Sequence, residues 1–240
     1  EADHVPPAGG HDRSAESHLG VFRRELDPQP LEGFAPRDAR GSRGGRRLVL
    51  PRRLPGRELV LGVLASFEGR DRTPPEPKFA TALDKANWLA AMSERLPTRH
   101  KPDLRTRVEF LKTVHYEATR AGLDPQLVLG LIQVESGFKK YAISSAGARG
   151  YMQVMPFWTR LIGNGDVRTL FDMRTNLRMG CVILRHYLDM ENGDMFLALG
   201  RYNGSRGRPE YPNAVFGAWK GKWQWTSPAP PGSRPAAAVR

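Results

Sequence analysis

The segment from Asp124 to Gly137 constrains the fold of this chain more than any other stretch. Asp124-Pro125 is the pattern of a helix N-cap followed by proline at the first helical position, and Ser136-Gly137 closes the segment. Between them, residues 126–135 are apolar on nearly every side of a helix. Because such a helix has to be buried, the sequence predicts a central helix with other helices packed around it.

Apolar residues also repeat at helical spacing before this segment. One helix is predicted from about residue 79 until Pro97 stops it. A second is predicted from 104 to 118, with Asp103 as N-cap and Gly122 as its C-terminal breaker.

The pattern continues after the central helix, through polar loops that contain glycine. It predicts a short helix around 152–162, a longer one at about 176–191, and one capped by Asp194 that runs to about Tyr202. No convincing period-two segment occurs after residue 78. We therefore expect an all-α, or nearly all-α, domain at residues 79–225.

The two ends of the chain have a different composition. Residues 1–78 are rich in arginine, glycine and proline, and residues 226–240 in proline and alanine. Such segments do not bury enough apolar surface to offset the entropy of ordering, so we expect a disordered arm and a disordered tail. Two questions stay open for the arm: whether it is only solvated chain or a polyanion-binding patch, and whether its short apolar run at 59–65 is a targeting segment.

Charge and composition exclude several classes of protein. The formal net charge of +12 favours anionic partners without naming one. The single cysteine, Cys181, excludes an intrachain disulfide framework, and its apolar surroundings indicate a buried side chain. The six histidines show no H-E-x-x-H pattern, so we expect neither metal nor other cofactor. No apolar run reaches the ~20 residues of a transmembrane helix.

Glu135 ends the most apolar helix in the chain and is the candidate catalytic residue. A carboxyl group against apolar walls is disfavoured in its charged form, so it can donate a proton near neutral pH. No other acid has this setting in the sequence, although folding could bring a loop acid close. Glycosidases ordinarily use two carboxylates, so a single acid would require the substrate itself to do the second task.

Several short motifs around and after Glu135 resemble one known family. These are V-E-S-G-F at 134–138, A-I-S at 142–144, G-A-R-G-Y-M-Q at 147–153 and R-Y-N-G at 201–204. In their order and spacing they resemble the soluble lytic transglycosylase (SLT) domain, which has a helical, lysozyme-like fold. The resemblance covers about residues 103–225. Two positions depart from the family pattern: Tyr151 stands where leucine is usual and Arg201 where alanine is usual, and both are expected to reshape the groove.

The resemblance implies a function and a reaction. Glu135 would protonate the glycosidic oxygen between N-acetylmuramic acid and N-acetylglucosamine in peptidoglycan, then take the proton from the muramoyl C6 hydroxyl. The product would be a 1,6-anhydro sugar. A bacterial enzyme of this kind is expected in the periplasm or cell envelope, as a monomer acting on glycan strands, without specific nucleic-acid binding.

The same resemblance implies a set of substrate-binding residues. Ser136 would line the site beside Glu135, and Tyr202 would reach the carboxyl group or the sugar. Gly150 would either let the backbone approach the substrate or serve a turn. The other members of the set are Ser144, Met152, Gln153 and Asn203. Six further aromatic residues either stack on sugars or belong to the core: Tyr141, Trp158, Tyr211, Trp219, Trp223 and Trp225.

Three alternatives remain beside this hypothesis. A hydrolase of the same fold, like the goose-type lysozymes, would cleave the same bond with water. A catalytically silent protein would bind peptidoglycan without turnover. A helix-turn-helix is suggested by residues 118–128, but the helix that follows is apolar where a recognition helix must present polar side chains to base edges.

Overall fold

A computed structural model describes residues 79–100 and 103–227 of the chain. The predicted arm at 1–78 and residues 228–240 of the predicted tail at 226–240 lie outside the described residues. Helices and loops make up the described part, and its only strand-like pairings are two isolated bridges, Ile143 with Arg149 and Arg149 with Val154. The prediction of a nearly all-α domain is therefore confirmed.

The α-helices of the described residues are numbered in chain order. They are α1 (Ala82–Arg95), α2 (Leu104–Arg120), α3 (Pro125–Ser136), α4 (Trp158–Ile162), α5 (Met173–Met190), α6 (Met195–Asn203) and α7 (Glu210–Ala218). A 3-10 helix (Val167–Phe171) precedes α5, and a π-helical turn (Trp219–Trp223) continues α7.

Side-chain caps begin most of these helices, as the sequence predicts. Asp103 accepts a hydrogen bond from the backbone N–H of Thr106, and Asp124 accepts one from that of Gln126. Asp194 caps α6 through Leu197 N–H in the same way. These caps form because they satisfy amide groups that the first turn of a helix leaves without an intrahelical partner.

Helix α3 is the centre of the domain. It packs against α2, α7 and the π-helical turn, and its residues Leu129, Leu131 and Ile132 are fully buried. A Cβ atom at Gly130 would lie 3.0 Å from the backbone nitrogen of Trp219, so glycine at this position lets the turn approach the helix closely. The prediction of a buried central helix is confirmed.

Two parts of the helix prediction were wrong. The helix expected at 152–162 is shorter, because Met152 N–H is bound by the side chain of Asn176 and Gln153 has a φ of +50°, so α4 begins only at Trp158. Helix α7 was not predicted at all. Its nine residues include proline, glycine and asparagine, and its stability comes from packing on α3 and α6.

Buried charge links the helices on the side formed by α2 and α5. The Glu117 side chain is 2% exposed and lies 3.3 Å from Nε of Arg178 and 3.5 Å from Nε of Arg174. Cys181, one helical turn further along α5, is fully buried, and burial raises the pKa of its thiol well above the usual range. The predicted buried cysteine is confirmed.

Among residues 79–100 and 103–227, no helix is long and apolar enough to cross a membrane.

Candidate active site

Glu135 lies in the last turn of α3 and is half-buried. The helix ends directly after it, because Gly137 adopts the left-handed conformation with a φ of +56°. The carboxyl group therefore stands at the edge of the core, where buried apolar side chains on one side meet a loop on the other.

The chain beyond the helix is anchored by Phe138. Its backbone is left-handed, with a φ of +68°, which is uncommon for a bulky residue. Its side chain is 2% exposed and packs between the rings of Phe110 and Trp223, at centroid distances of 6.0 and 5.3 Å. This packing holds the backbone next to Glu135 in one conformation.

Tyr211 of α7 binds the candidate acid directly. Its hydroxyl donates to Oε1 of Glu135 at 2.7 Å, and the tyrosine is 4% exposed. From the sequence, Tyr211 is one of six aromatic residues with an undecided role. The two residues are 76 positions apart, and the helix that presents the tyrosine was itself not predicted, so nothing local signals the contact.

A folded loop connects α3 to the motif at 147–153. Ser144 forms its turn: its backbone N–H donates to the carbonyl of Ala148 at 3.0 Å, and its Oγ accepts from Ala148 N–H at 3.1 Å. The carbonyl of Ala142 accepts two more hydrogen bonds, from Gly150 N–H at 2.9 Å and Gln153 Nε2 at 3.1 Å. Ser144 and Gln153, both expected to contact substrate, thus also determine the shape of this loop.

Asn176 joins the motif at 147–153 to the 3-10 helix. Its Nδ2 donates to the carbonyls of Arg149 and Leu170, each at 2.9 Å, and its Oδ1 accepts from Met152 N–H at 2.8 Å. A Cβ atom at Gly150, whose φ is +76°, would come within 2.4 Å of Asn176 Nδ2. Glycine is therefore required here by a turn and by the asparagine side chain, without any need for a substrate.

Three more predicted site residues, at the end of α3 and in this loop, face the protein interior. Ser136 is 5% exposed, and its hydroxyl donates to the carbonyl of Tyr151 at 2.7 Å, which ties the loop to the end of α3. Met152 is fully buried, and a Cβ atom at Gly180 of α5 would lie 2.4 Å from its sulfur. Gln153 is 5% exposed. The substrate contacts predicted for them stay predictions.

The predicted residues of α6 lie on the other side of the loop. The hydroxyl of Tyr202 donates to the carbonyl of Met152 at 2.8 Å, so this tyrosine supports the loop. Asn203 is 4% exposed, and its Oδ1 accepts from Ser205 Oγ at 3.0 Å in the turn after α6. The alternative of a turn role for Asn203 has this support, while a contact with substrate stays a prediction.

Both departures from the family pattern are accommodated within the domain. The ring of Tyr151 is 5% exposed and lies 5.0 Å from that of Phe110, and burial raises the pKa of its hydroxyl to about 12. Arg201 pairs with the carboxylate of Glu191, which Arg206 also binds at 2.7 Å. The hydrogen bonds from these arginines lower the pKa of Glu191 to about 2.

Of the other aromatic candidates, Trp158 and Trp223 are buried in the core, with 6% and no exposure. Trp219 and Trp225 are half-buried, and Tyr141 is 70% exposed. Tyr141 is therefore the aromatic candidate most accessible to a ligand.

The other carboxyl groups of the described residues mostly have structural partners. Six lie at helix starts, where their carboxylate oxygens accept hydrogen bonds: Asp84, from the Thr81 hydroxyl, and the caps Asp103, Asp124, Asp166, Asp172 and Asp194. Three form ion pairs with arginine: Glu117, Asp189 and Glu191. The last three, Glu94, Glu109 and Glu210, are exposed. Glu135 is the described carboxyl group that combines partial burial with a tyrosine partner.

Comparison with protein families gives a match over much of this domain. Residues 112–217 match the model described as Transglycosylase SLT domain. The match includes Glu135, the loop, Tyr202 and Tyr211. Together with the helical architecture, it confirms the expected family and fold class.

Curated relatives match this chain over only part of their own length. A transglycosylase of Enterobacteria phage PRD1 is 34% identical over 97 residues, 40% of this chain and 35% of that protein. Membrane-bound lytic murein transglycosylase C of Haemophilus influenzae (strain PittEE) is 32% identical over 114 residues, 41% of this chain and 32% of that protein. Its counterpart in Histophilus somni (strain 2336) is 28% identical over 182 residues, 63% of this chain and 48% of that protein. The chain thus spans a third to a half of these relatives.

One solved structure is also similar. It is the X-ray structure of an inactive mutant of the lytic transglycosylase Slt from Pseudomonas aeruginosa, which is 17% identical to this chain. The similarity covers 68% of this chain and 39% of that chain, with a TM-score of 0.37.

Proposed function

We propose that this chain, whose residues 112–217 match the transglycosylase SLT domain, cleaves the β-1,4 bond between N-acetylmuramic acid and N-acetylglucosamine in peptidoglycan. The reaction is non-hydrolytic and ends in a 1,6-anhydromuramoyl product. It takes place in the cell envelope, on the periplasmic side where the glycan strands lie.

The observation that carries the proposal is the hydrogen bond from Tyr211 to Glu135. A buried hydroxyl that holds one carboxyl oxygen fixes the orientation of the group before substrate arrives. Packing of Phe138 fixes the backbone beside it. A proton donor needs this kind of restraint, since it must meet the glycosidic oxygen within hydrogen-bond distance.

The proposed reaction has two proton transfers through the same residue. Protonated Glu135 gives its proton to the glycosidic oxygen, the bond from that oxygen to the muramoyl C1 breaks, and the N-acetylglucosamine end leaves as an alcohol. The Glu135 carboxylate then removes the proton of the muramoyl C6 hydroxyl while the C6 oxygen bonds to C1. Glu135 regains its proton, and no water is consumed.

A single acid is consistent with the state of the other carboxyl groups. A hydrolase would need a second carboxylate to activate water or to act as nucleophile. Eight of the twelve other acids in the described residues serve as helix caps or ion-pair partners, Asp84 accepts a hydrogen bond from Thr81, and three are exposed. Glu210 is the exposed acid next to Tyr211 in α7, so it is the acid to test as a second catalytic group.

The test compares release of soluble muropeptides from purified sacculi by the wild type, Glu135→Gln and Glu210→Gln. We expect Glu135→Gln to lower the rate on the order of 10² to 10⁴ fold. Glu210→Gln should keep most of the activity. If Glu210→Gln is as damaging as Glu135→Gln, the hydrolase alternative is favoured. If the wild type binds sacculi and releases nothing, the protein is a silent binder.

A further inference from the structure

The loop between α3 and the Gly150 turn carries an exposed surface that neither the core nor the proposed reaction explains. We define the Tyr141 surface by Lys139, Lys140, Tyr141, Ile143 and Arg149. Among the described residues, five large hydrophobic side chains are exposed, and two of them are here: Tyr141 is 70% exposed and Ile143 is 63% exposed. Side chains of this type in solvent are typical of a binding surface when they cluster.

The backbone under this surface is well fixed. The carbonyl of Ala142 accepts hydrogen bonds from Gly150 N–H and Gln153 Nε2, and Ile143 pairs with Arg149 in an isolated bridge. The Ser136 hydroxyl joins the same loop to the end of α3 through the Tyr151 carbonyl. An exposed side chain on a fixed backbone loses less entropy on binding than one on a mobile loop.

The exposed ring is held within a group of aromatic and cationic side chains. The ring of Tyr141 lies 5.8 Å from that of Phe171, and Lys140 Nζ lies 5.2 Å from the Tyr141 ring centre. The guanidinium carbon of Arg149 is 5.7 Å from the centre of Phe171. Ring contacts of this kind restrict the rotamers of Tyr141, Lys140 and Arg149.

The charge of the surface is positive. Lys139, Lys140 and Arg149 contribute three cations, and no carboxylate of residues 79–100 or 103–227 forms an ion pair with any of them. Within the described part of the chain, Nε of Arg149 is buried and has no hydrogen-bond partner. A surface with three cations beside an exposed ring is complementary to a chain segment that carries carboxylates and apolar groups.

We infer that the Tyr141 surface binds the carboxylate-bearing stem peptide of the peptidoglycan strand whose glycan meets Glu135. The inference rests on the proposed function. Tyr141 follows Glu135 by six residues, and the hydrogen bond from Ser136 to the Tyr151 carbonyl ties its loop to the end of α3 that carries Glu135. A peptide with several carboxylates and apolar side chains complements three cations beside two exposed apolar side chains better than one lactyl carboxylate does.

The test compares kcat/KM on two substrates: glycan strands with stem peptides, and the same strands stripped of peptides by an amidase. The variant is the double change Lys139→Gln with Lys140→Gln, which alters two exposed side chains without touching the core. A matched control, Arg105→Gln with Lys220→Gln, removes two exposed charges from other elements. A third variant replaces both loop lysines by arginine and keeps the charge.

We expect the glutamine variant to lose about three- to tenfold in kcat/KM on peptide-bearing strands and less than about twofold on stripped strands. The difference should shrink as salt rises, and the arginine variant and the control should resemble the wild type. Equal losses on both substrates would mean that the surface binds the glycan or its lactyl carboxylates, and would overturn the inference. So would no loss on either substrate.

A binding measurement keeps this inference separate from the proposed function. The Glu135→Gln protein, with and without the two lysine changes, is titrated with disaccharide-peptide fragments and with the same fragments lacking peptide. Weaker binding of the peptide-bearing fragment alone supports the inference even if the wild type turns over neither strand. Absence of turnover in the wild type counts against the proposed function only.

Discussion

The hydroxyl of Tyr211 donates to Oε1 of Glu135 across 2.7 Å, and so connects helix α7 to the last turn of helix α3. The tyrosine is 4% exposed, whereas the glutamate is half-buried at the edge of the core. The candidate acid is therefore oriented by a residue 76 positions further along the chain, near the C-terminal end of the matched region.

Replacing Tyr211 by phenylalanine tests whether this orientation matters. The ring and its packing remain, and only the hydroxyl that holds the carboxyl group is lost. Because Glu135 is protonated before the reaction, the bond joins two neutral groups and contributes about 0.5–1.5 kcal/mol, so we expect kcat to fall roughly two- to tenfold. KM should change much less.

The comparison for that change is Tyr202→Phe, which also removes one tyrosine hydroxyl. The Tyr202 hydroxyl donates to the Met152 carbonyl. Steady-state kinetics and thermal unfolding are measured for both variants. An unchanged kcat in Tyr211→Phe would show that the contact is dispensable. A fall in kcat explained wholly by unfolding would assign the tyrosine a structural role only.

Alanine substitutions at two glycines of the loop between α3 and α4 distinguish the cost of a left-handed backbone from the cost of side-chain crowding. Both have left-handed backbones, with φ of +76° at Gly150 and +82° at Gly147. A Cβ atom at Gly150 would meet Asn176 and the Leu170 carbonyl within 2.5 Å, while one at Gly147 would meet nothing within 4 Å. We expect Gly147→Ala to cost about 1–2 kcal/mol in unfolding free energy and Gly150→Ala clearly more.

Urea denaturation of the two alanine variants gives the comparison. Gly150→Ala should also lower activity, since it displaces the loop that Asn176 holds. Equal destabilisation by the two changes would contradict the crowding shown at Gly150.

The ion pairs of Glu191 predict how the stability of the fold depends on pH at the acidic end. Arg206 and Arg201 lower the pKa of this carboxyl from 4.5 to about 2. A carboxyl whose pKa is depressed by folding stabilises the folded state above its unfolded pKa, and this contribution is lost as pH falls through the folded value. The loss from Glu191 should therefore occur between about pH 4.5 and pH 2.

A second titratable group, His115, affects folding stability at higher pH. Burial against Phe79 and Trp88 lowers the pKa of His115 from 6.5 to about 4, so its neutral form is favoured by folding. Its contribution is lost between about pH 6.5 and pH 4. Unfolding free energies of wild type, Glu191→Gln and His115→Phe across pH 2–7 should show each variant with a shallower slope in its own window. Parallel curves for all three proteins would contradict these assignments.

The sequence predicted those features that depend on neighbouring residues. The caps Asp103, Asp124 and Asp194 were found because a cap acts within three positions of itself. The buried α3 was predicted because a helix without a polar side has to lie inside. The family resemblance likewise rests on short motifs, and residues 112–217 confirm it.

The contacts between distant segments were not predictable in this way. Tyr211 was one of six undecided aromatic residues, and only tertiary packing of α7 on α3 brings it to Glu135. Asn176 binds the carbonyls of Arg149 and Leu170 and the amide of Met152, which lie 6 to 27 positions before it, and no periodicity encodes these contacts. The bond to Met152 and the left-handed backbone of Gln153 also explain why α4 is shorter than the helix expected at 152–162.

The most direct test of the central claim is cleavage of purified glycan strands in water enriched in oxygen-18, followed by mass spectrometry of the new reducing ends. If Glu135 acts alone and the C6 hydroxyl attacks C1, the products are anhydro ends without the heavy isotope, and Glu135→Gln forms almost none. Reducing ends that carry one oxygen-18 atom would show that water attacked C1. That result would contradict a non-hydrolytic reaction and call for a second group to activate the water.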